Sequence, residues 1–334
     1  MFIIHASEIA VDSYRGSCLA VEQYGISVGI AIQVIYASQW GLTDFPANRL
    51  HGILDIIFSL FAMISLMGFI ESPVYYIRRG DENAALDCLS RLQRPTGVTT
   101  ITTFQLQERK NYVIQHENYT TIENIKYGLI PLVKIILFRS MMVAFSFSLP
   151  FSIALQYSLV INFITWPPIV AGCLRIFGAL ISLSLVDGLT RKLPSLIWIL
   201  AMGALTVAAG AMFGNFTNTL NTHYMSVATS LLLLFQFFAG LFVPFSSVYL
   251  GEAFPLIVKP YFLAISIIVE QLIHIIIICT FTNYVNSIYN CLLAQGIIML
   301  AVTIILGITM PETRKTSLKE AQDRFTHFIY LKMY

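Results

Sequence analysis

The chain has 334 residues, of which 57% are hydrophobic and only 11% charged, and its formal net charge is +2. Soluble domains carry about a quarter charged residues, so this composition excludes an ordinary soluble enzyme or regulator and indicates a membrane protein. The small net charge gives no reason to expect a nucleic-acid partner, and the lipid bilayer is the expected surrounding of the chain.

Apolar runs of about twenty residues, the length that crosses a bilayer core, recur along the whole chain. We therefore predict an all-α polytopic membrane protein with about eight transmembrane helices. The predicted spans are 17–39, 50–70, 138–161, 167–186, 194–213, 225–249, 261–282 and 288–309. The five cysteines share no metal-ligand spacing, so we expect single buried thiols, no metal site and no cofactor.

Two stretches of the sequence share a layout that indicates an internal repeat. In each, an acid precedes a cation by seven residues, as Glu8 precedes Arg15 and Glu252 precedes Lys259. Two apolar spans follow each pair before the next acidic motif, at Glu71 and Pro311-Glu312-Thr313. Many transporters are built on such duplications. Because the second motif follows three further spans, we expect the chain to begin about three and a half helices into its first repeat.

Lys and Arg residues, with Arg139 among them, concentrate in the loops on one side of the predicted spans. The positive-inside rule makes that side cytoplasmic, together with both termini and the large polar loop 74–137. The sequon at Asn215 then lies in an extracytoplasmic loop and is a glycosylation candidate, whereas the one at Asn118 is on the wrong side.

The predicted domains follow from these spans. Residues 1–73 are the remnant of an N-terminal helical half (the end of helix 4, then helices 5 and 6), and 74–137 are a cytoplasmic linker with short helices. Residues 138–313 are a complete C-terminal six-helix half, and 314–334 are a cytoplasmic tail. Within the linker, residues 81–92 have apolar positions at helical spacing and predict a short amphipathic helix.

Five motifs in a fixed order carry a family resemblance. They are Ser7-Glu8-Ile9-Ala10 with Arg15-Gly16, Glu71-Ser72-Pro73, Asp187 to Arg191-Lys192, Gly251-Glu252-Ala253-Phe254-Pro255 with Lys259, and Pro311-Glu312-Thr313. Together they resemble the sugar-porter branch of the major facilitator superfamily, in particular its insect facilitated trehalose transporter-like members. The resemblance implies the major facilitator fold without about the first three and a half transmembrane helices.

The resemblance gives these charged residues a role in gating. Carboxylates and cations at the helix ends would pair across the two halves when the cytoplasmic side is closed. The predicted network comprises Glu8, Arg15, Glu71, Asp187, Arg191, Glu252, Lys259 and Glu312. The alternative is that they are ordinary interfacial charges. Lys259 stands where the family has Arg, and Val74 replaces the Arg that follows Glu-Ser-Pro, so one clamp is expected to be missing.

A central cavity is the second predicted site. Ionisable residues inside spans mark a function or a partner, and the resemblance adds a sugar-contacting glutamine, Gln23. The predicted cavity residues are Gln23, Ser152, Arg175, Glu270, Gln271 and His274. The family's amides and its stacking Trp are replaced, by Ser146, Phe147 and Ser152 on helix 7 and by Ser247 on helix 10. Three interpretations stay open: an Arg175–Glu270 ion pair that fills the cavity, a changed substrate or proton coupling through Glu270 and His274, or relaxed constraint.

The resemblance implies transport of a carbohydrate, a hexose or a trehalose-like sugar, across the plasma membrane by alternating access. Binding would use side chains between the two halves, without covalent chemistry, so we do not expect an enzyme. The alternative is a truncated or diverged paralogue that does not transport and is inactive or acts through a partner subunit that completes the missing helices.

Overall fold

The computed structural model describes residues 2–11, 13–39, 47–93, 96–117, 119–162, 166–214, 216–281 and 285–330. In this part of the chain the regular structure is helical and no β-strand occurs, which confirms the all-α prediction. The helices are α1 (Phe2–Ile9), α2 (Arg15–Gln39), α3 (Ala47–Met67), α4 (Pro73–Arg78), α5 (Glu82–Leu92), α6 (Thr100–Glu117), α7 (Thr121–Ile135), a π-helical segment (Ile136–Ser140), α8 (Met141–Ser146), α9 (Leu149–Asn162), α10 (Pro167–Leu185), α11 (Lys192–Met212), α12 (Phe216–Thr219), α13 (Thr222–Glu252), α14 (Lys259–Thr280), α15 (Val285–Thr309) and α16 (Leu318–Thr326).

Seven stretches of the described helices are long and apolar enough to cross a membrane, which confirms a polytopic architecture. They are Arg15–Val34, Thr121–Asn162, Pro167–Leu185, Lys192–Met212, Thr222–Glu252, Lys259–Thr280 and Ser287–Thr309. The prediction of about eight spans counted 50–70 as one of them. In α3, however, the apolar stretch is Gly52–Met67, which is shorter than the other candidate spans.

The span predicted to begin at 138 begins much earlier. A capping box at Thr120, whose hydroxyl and backbone amide both pair with Glu123, starts α7. The helix then continues through the π-helical segment into α8 without a break. Lys134, which the sequence analysis placed in the linker, and Arg139, which it counted with the loop charges, are therefore buried helical residues.

The chain divides into two compact units, a larger one of Met1–Val34 with Tyr119–Tyr334 and a smaller one of Ile35–Asn118. This division follows packing density within the chain. It differs from the boundaries at 73, 137 and 313, and the assignment of those segments to two halves and a linker stays a prediction.

The larger unit is organised around α13, the most buried of its candidate spans. α13 packs against α9, α10 and α11, and α11 packs in turn against α15. Its C-terminal part, residues 239–252, is buried throughout, and Phe242, Phe245 and Tyr249 are fully buried there. The spans of α2 and α14 are the least buried, and their exposed large hydrophobic side chains are mainly Ile, as expected for helices beside lipid.

Small residues let these helices approach closely, among them Gly210, Gly240 and Gly251. A Cβ atom at Gly240 of α13 would overlap the backbone of Arg175 on α10, and one at Gly178 of α10 would lie 2.5 Å from the carbonyl oxygen of Phe237. Because each glycine faces the other helix's backbone, neither helix can yield by a side-chain rotation.

We expect Gly240→Ala to destabilise the larger unit by about 1 to 3 kcal/mol, because the new methyl group must push two helix backbones apart. The measurement is the thermal unfolding midpoint of the purified chain in detergent. Gly25→Ala on α2 is the matched control, since a Cβ atom there meets nothing within 4 Å. Equal midpoints for the two variants would show that the α10–α13 contact tolerates a methyl group.

In the smaller unit, the helices α4, α5 and α6 pack on one another. Its helix α5 confirms the amphipathic helix predicted over 81–92: the Asp81 carboxylate accepts a hydrogen bond from the backbone amide of Ala84, and Ala85, Cys88 and Leu89 are buried.

All five cysteines are free thiols, but only Cys88 is buried. The expectation of buried thiols is wrong for Cys18, Cys173 and Cys279, because apolar residues of a span can face lipid instead of the core.

Candidate functional site

Five charged residues meet at one end of the helices of the larger unit: Arg15, Asp187, Arg191, Glu252 and Glu312. We call them the charged cluster. Its centre is Arg191, immediately before α11, whose Nη1 donates to both carboxylate oxygens of Glu252 at 2.9 Å while Nη2 donates to Asp187 Oδ1 at 3.2 Å. Burial by itself would lower the pKa of Arg191, but the Glu252 and Asp187 carboxylates raise it above its ordinary value. The guanidinium therefore stays charged and joins the ends of α10, α11 and α13.

Asp187 also fixes the start of α2. Its two carboxylate oxygens accept hydrogen bonds from the backbone amides of Gly16 at 3.0 Å and Ser17 at 2.9 Å, two of the amides that a helix N-terminus leaves unpaired. A side chain at position 16 would overlap the carboxylate of Asp187. From the same turn, Arg15 Nη1 reaches Glu252 Oε1 at 3.6 Å. Glu252 is thus shared by two guanidinium groups.

Glu312 does for α11 what Asp187 does for α2. Its Oε2 accepts from the backbone amides of Arg191 at 2.8 Å and Lys192 at 3.0 Å, and its Oε1 accepts from the amide of Arg314 at 2.9 Å. The acids of the predicted network therefore have two physical roles: Glu252 balances cations, whereas Asp187 and Glu312 mainly cap helices.

Lys259 and Glu8 lie close to this cluster. Lys259, the first residue of α14, is fully buried, and its Nζ donates to Ser7 Oγ on α1 at 2.5 Å. The half-buried Glu8 carboxylate attracts the same ammonium group through space. This contact links α1 to α14, and the gating role of Glu8 and Lys259 stays a prediction.

Glu71 belongs to the smaller unit, and its described contacts are made there. Its backbone carbonyl accepts a hydrogen bond from the Cys88 thiol at 3.0 Å. The next residue, Ser72, caps α4 by accepting from the backbone amide of Val74 at 3.2 Å, and Pro73 begins the helix. The Glu-Ser-Pro motif thus has a local role in starting α4, and the gating role of Glu71 stays a prediction.

A second set of charges lies inside the predicted spans: Glu22 on α2, Arg139 in the π-helical segment and Glu270 on α14. We call it the intramembrane triad. Arg139 Nη1 donates to Glu270 Oε2 at 2.5 Å, and Arg139 Nη2 lies 3.6 Å from Glu22 Oε1. Glu22 Oε2 also accepts from Ser247 Oγ at 2.5 Å and from Gln23 Nε2 at 3.2 Å. The triad connects three spans to α13 through one polar network.

This geometry rejects one of the three interpretations that the sequence left open for the cavity. Glu270 pairs with Arg139, so the proposed Arg175–Glu270 ion pair is wrong. Glu22, Arg139 and Ser247 were missed as functional candidates. Glu22 was detectable as an acid inside a predicted span, but Arg139, the second residue of the predicted span 138–161, was counted with the cytoplasmic charges at the membrane edge.

Arg175 lies instead at the C-terminal end of α8, where the helix that carries Arg139 is broken. Pro150 lacks an amide hydrogen, so it cannot donate to the Ser146 carbonyl four residues earlier, and α8 ends there. That carbonyl instead accepts from Arg175 Nη1 at 3.3 Å and from Gln236 Nε2 at 3.1 Å. Arg175 Nη1 also donates to Gln236 Oε1 at 3.0 Å. A buried guanidinium and an amide thus satisfy the exposed end of a broken helix.

The remaining predicted cavity residues stand apart from the triad. Ser152 is half-buried in the first part of α9, Gln271 is exposed beside Glu270, and His274 is half-buried one turn further along α14. In the residues that the structure describes, no hydrogen bond or ion pair joins any of them to the triad. The prediction that they bind substrate stays untested, and Asn215 lies outside the described residues.

Comparison with known proteins shows which family the chain belongs to. The model of the sugar (and other) transporter family matches residues 3–325, nearly the whole chain. The chain belongs to the sugar (and other) transporter family. This confirms the sugar-porter resemblance at the level of the family, while the closer likeness to trehalose transporters stays a proposal.

Individual relatives share either a segment or the fold. The probable glucose transporter rco-3 of Neurospora crassa is 33% identical over 92 residues, which are 27% of this chain and 16% of that protein. The proton:xylose symporter XylE with bound 6-bromo-6-deoxy-D-glucose aligns over 97% of this chain and 70% of its own, with 19% identity and a TM-score of 0.75. A double tryptophan mutant of XylE aligns over the same shares, with 18% identity and a TM-score of 0.79.

The likeness to XylE confirms the major facilitator fold for this chain. The region matched in rco-3 is well under two thirds of that protein, so the activity of the family members comes to this chain as a proposal.

Proposed function

We propose that the chain carries a hexose or a trehalose-like sugar across a membrane by alternating access. The observation that supports this best is the position of Gln23. The resemblance assigns this residue to sugar contact, and it lies buried in the polar network of the intramembrane triad, where α2, α13 and α14 converge. Polar networks inside membrane spans are energetically costly, so by default they indicate a binding or coupling site.

The charged cluster supplies the gate in this proposal. Arg15, Gly16 and Ser17 at the start of α2 are held by Glu252 and Asp187, which belong to the predicted six-helix half. Carrier halves rock about a central site, so these contacts would form when this end is closed and separate when it opens. Because the pairs are buried, their separation requires water to enter the helix ends.

Uptake of labelled glucose and trehalose into proteoliposomes tests the proposal. We expect saturable uptake by the full chain. We expect Gln23→Leu to lower kcat/KM about tenfold or more, because a buried hydrogen-bonding amide is lost. Gln107→Leu is the matched control, since Gln107 is exposed on α6 and bonds Asn111 at 3.3 Å. Uptake of either sugar identifies the substrate, and uptake no greater than in protein-free vesicles contradicts the function.

A second candidate function, a paralogue that does not transport, is favoured by the substitutions in the cavity. Ser146 stands where the resemblance expects an amide, and its hydroxyl and carbonyl are both occupied by Arg175. Ser247 stands where it expects a stacking Trp, and its hydroxyl is occupied by Glu22. Absence of uptake for every hexose and disaccharide tried, with an intact fold, would support this candidate.

We further propose that the chain resides in the plasma membrane with its termini and residues 74–137 in the cytoplasm. The sequon at Asn215 then receives a glycan. We expect treatment with an N-glycosidase to shift the expressed chain to lower mass, and Asn215→Gln to abolish that shift, while Asn118→Gln leaves it intact. A shift that depends on Asn118 would invert the proposed orientation.

A further inference from the structure

We propose that the network around the intramembrane triad binds a sugar that carries one positive charge, an aminohexose, in preference to a neutral hexose. This inference rests on the proposed function and names the substrate class of the same site. It comes from three features of the triad: its charge, the exposure of its carboxylates and its unpartnered polar atoms.

The triad has an excess of negative charge. The carboxylates of Glu22 and Glu270 share the single guanidinium of Arg139, which leaves a formal charge of −1. A charge inside the spans requires a compensating partner. The carboxylates are also the accessible part of the triad, with side chains 20% and 12% exposed, against 3% for Arg139. A ligand would therefore meet oxygen atoms that accept hydrogen bonds before it met the guanidinium.

The other titratable groups of the surrounding helices leave this charge in place. Arg175 on α10 bonds Ser146 and Gln236, and in the described part of the chain its contacts include no carboxylate. His274, one turn beyond Glu270 on α14, has no described hydrogen bond or ion pair to either acid. The network thus retains a place for one cationic group.

Unpartnered polar atoms point to a ligand with several hydrogen-bonding groups. The buried atoms Gln23 Oε1, Ser27 Oγ and Arg139 Nε make no hydrogen bond. Gln23 and Ser27 are four residues apart on one face of α2, and both are almost fully buried. Buried polar atoms are normally satisfied, so each of these needs a partner. Gln23 Oε1 can accept from a hydroxyl, and Ser27 Oγ can donate or accept.

An aminohexose matches this set of groups. Its ammonium group donates up to three hydrogen bonds, which suit the carboxylates of Glu22 and Glu270. Its ring hydroxyls suit the amide of Gln23 and the hydroxyl of Ser27. Charge-assisted hydrogen bonds are roughly twice as strong as neutral ones, so the ammonium decides the preference. Glucose, which differs from glucosamine only in bearing a hydroxyl at C2, lacks that contribution.

Binding of tritiated glucosamine to the purified full chain in nanodiscs, with competition by glucose, tests the proposal. We expect glucosamine to bind about tenfold or more tightly than glucose, the difference of one charge-assisted contact. In Glu22→Gln and in Glu270→Gln the ratio should fall towards one. Glu320→Gln is the control, because Glu320 is exposed and pairs with Arg324 on the surface of α16.

Equal binding of the two sugars, or tighter binding of glucose, would overturn the inference, and this comparison needs only the unaltered chain. A glucosamine preference that survives both carboxylate substitutions would also overturn it, because the cation would then sit elsewhere. Saturable glucose uptake without a glucosamine preference overturns this inference alone. If glucosamine, glucose and trehalose all fail to bind and to enter vesicles, the proposed function fails with it.

Discussion

Arg191→Met is expected to cost the larger unit about 3 to 5 kcal/mol of stability, the range found when one partner of a buried ion pair is removed. The variant would leave Glu252, which is 1% exposed, with a single guanidinium at 3.6 Å. It would also remove the hydrogen bonds from Nη1 to the backbone and hydroxyl of Thr313. We expect a large fall in the thermal unfolding midpoint, or loss of the monodisperse peak in size-exclusion chromatography.

Two companion variants separate charge from packing. Arg91→Met is the matched control: Arg91 is exposed and pairs with Asp87 on the surface of α5, so its loss should cost no more than about 1 kcal/mol. Glu252→Gln added to Arg191→Met should recover part of the stability, since it removes the stranded charge. If Arg191→Met proves as stable as Arg91→Met, the charged cluster does not hold these helix ends together.

Arg139→Gln should have the second largest effect. It would leave Glu22 and Glu270 facing each other inside the spans without a cation, and such a pair cannot remain doubly ionised at low cost. We expect a stability loss of about 3 kcal/mol or more, read as the surviving fraction of monodisperse protein after heating. Substrate binding should be lost as well, because the carboxylates would no longer be held in place.

A second substitution reveals whether charge is the cause. Arg139→Gln combined with Glu270→Gln should be more stable than Arg139→Gln alone, a strongly non-additive result for two groups in contact. Arg79→Gln in the smaller unit is the control, since Arg79 is exposed and stacks 4.9 Å from the ring centre of Tyr75. Additive losses of stability would mean that Arg139 and Glu270 stabilise the fold independently, and this would contradict an energetic coupling between them in the triad.

The charged cluster was largely predictable from the sequence. Arg15, Asp187, Arg191, Glu252 and Glu312 stand in short motifs with a fixed order, and all of them meet. The sequence could not assign their separate roles, because capping by Asp187 and Glu312 depends on which helix N-terminus lies opposite each acid. That placement is set by the packing of α2 and α11, far apart along the chain.

The intramembrane triad was less predictable, for a reason that concerns one boundary. Polar residues at 134 and 139 interrupt the hydropathy of the third span, so its start was placed too late, at 138, and Arg139 was counted as a charge at the membrane edge. The helix tolerates both cations because Arg139 meets two acids and Lys134 Nζ donates to the carbonyl of His327 at 2.6 Å. Such compensation comes from distant segments and has no local sequence signal.

The partner of Arg175 was also beyond the sequence, although its cause was visible. Pro150 predicts an unpaired carbonyl at Ser146. Which side chain would satisfy that carbonyl depends on the approach of α10 and α13, and this approach follows from glycines at 178 and 240. The ion pair with Glu270, reasoned from similar depth alone, ignored the rotation of α10 and α14 about their own axes.

Counterflow is the measurement that tests alternating access most directly. Proteoliposomes holding the full chain are preloaded with unlabelled sugar and diluted into a trace of the labelled sugar, with glucosamine, glucose and trehalose tried in turn. A carrier whose site faces one side at a time must exchange, so we predict a transient accumulation of label above its final level. The account would be contradicted if no label entered, or if label rose only to its equilibrium level whether or not the vesicles were preloaded with sugar.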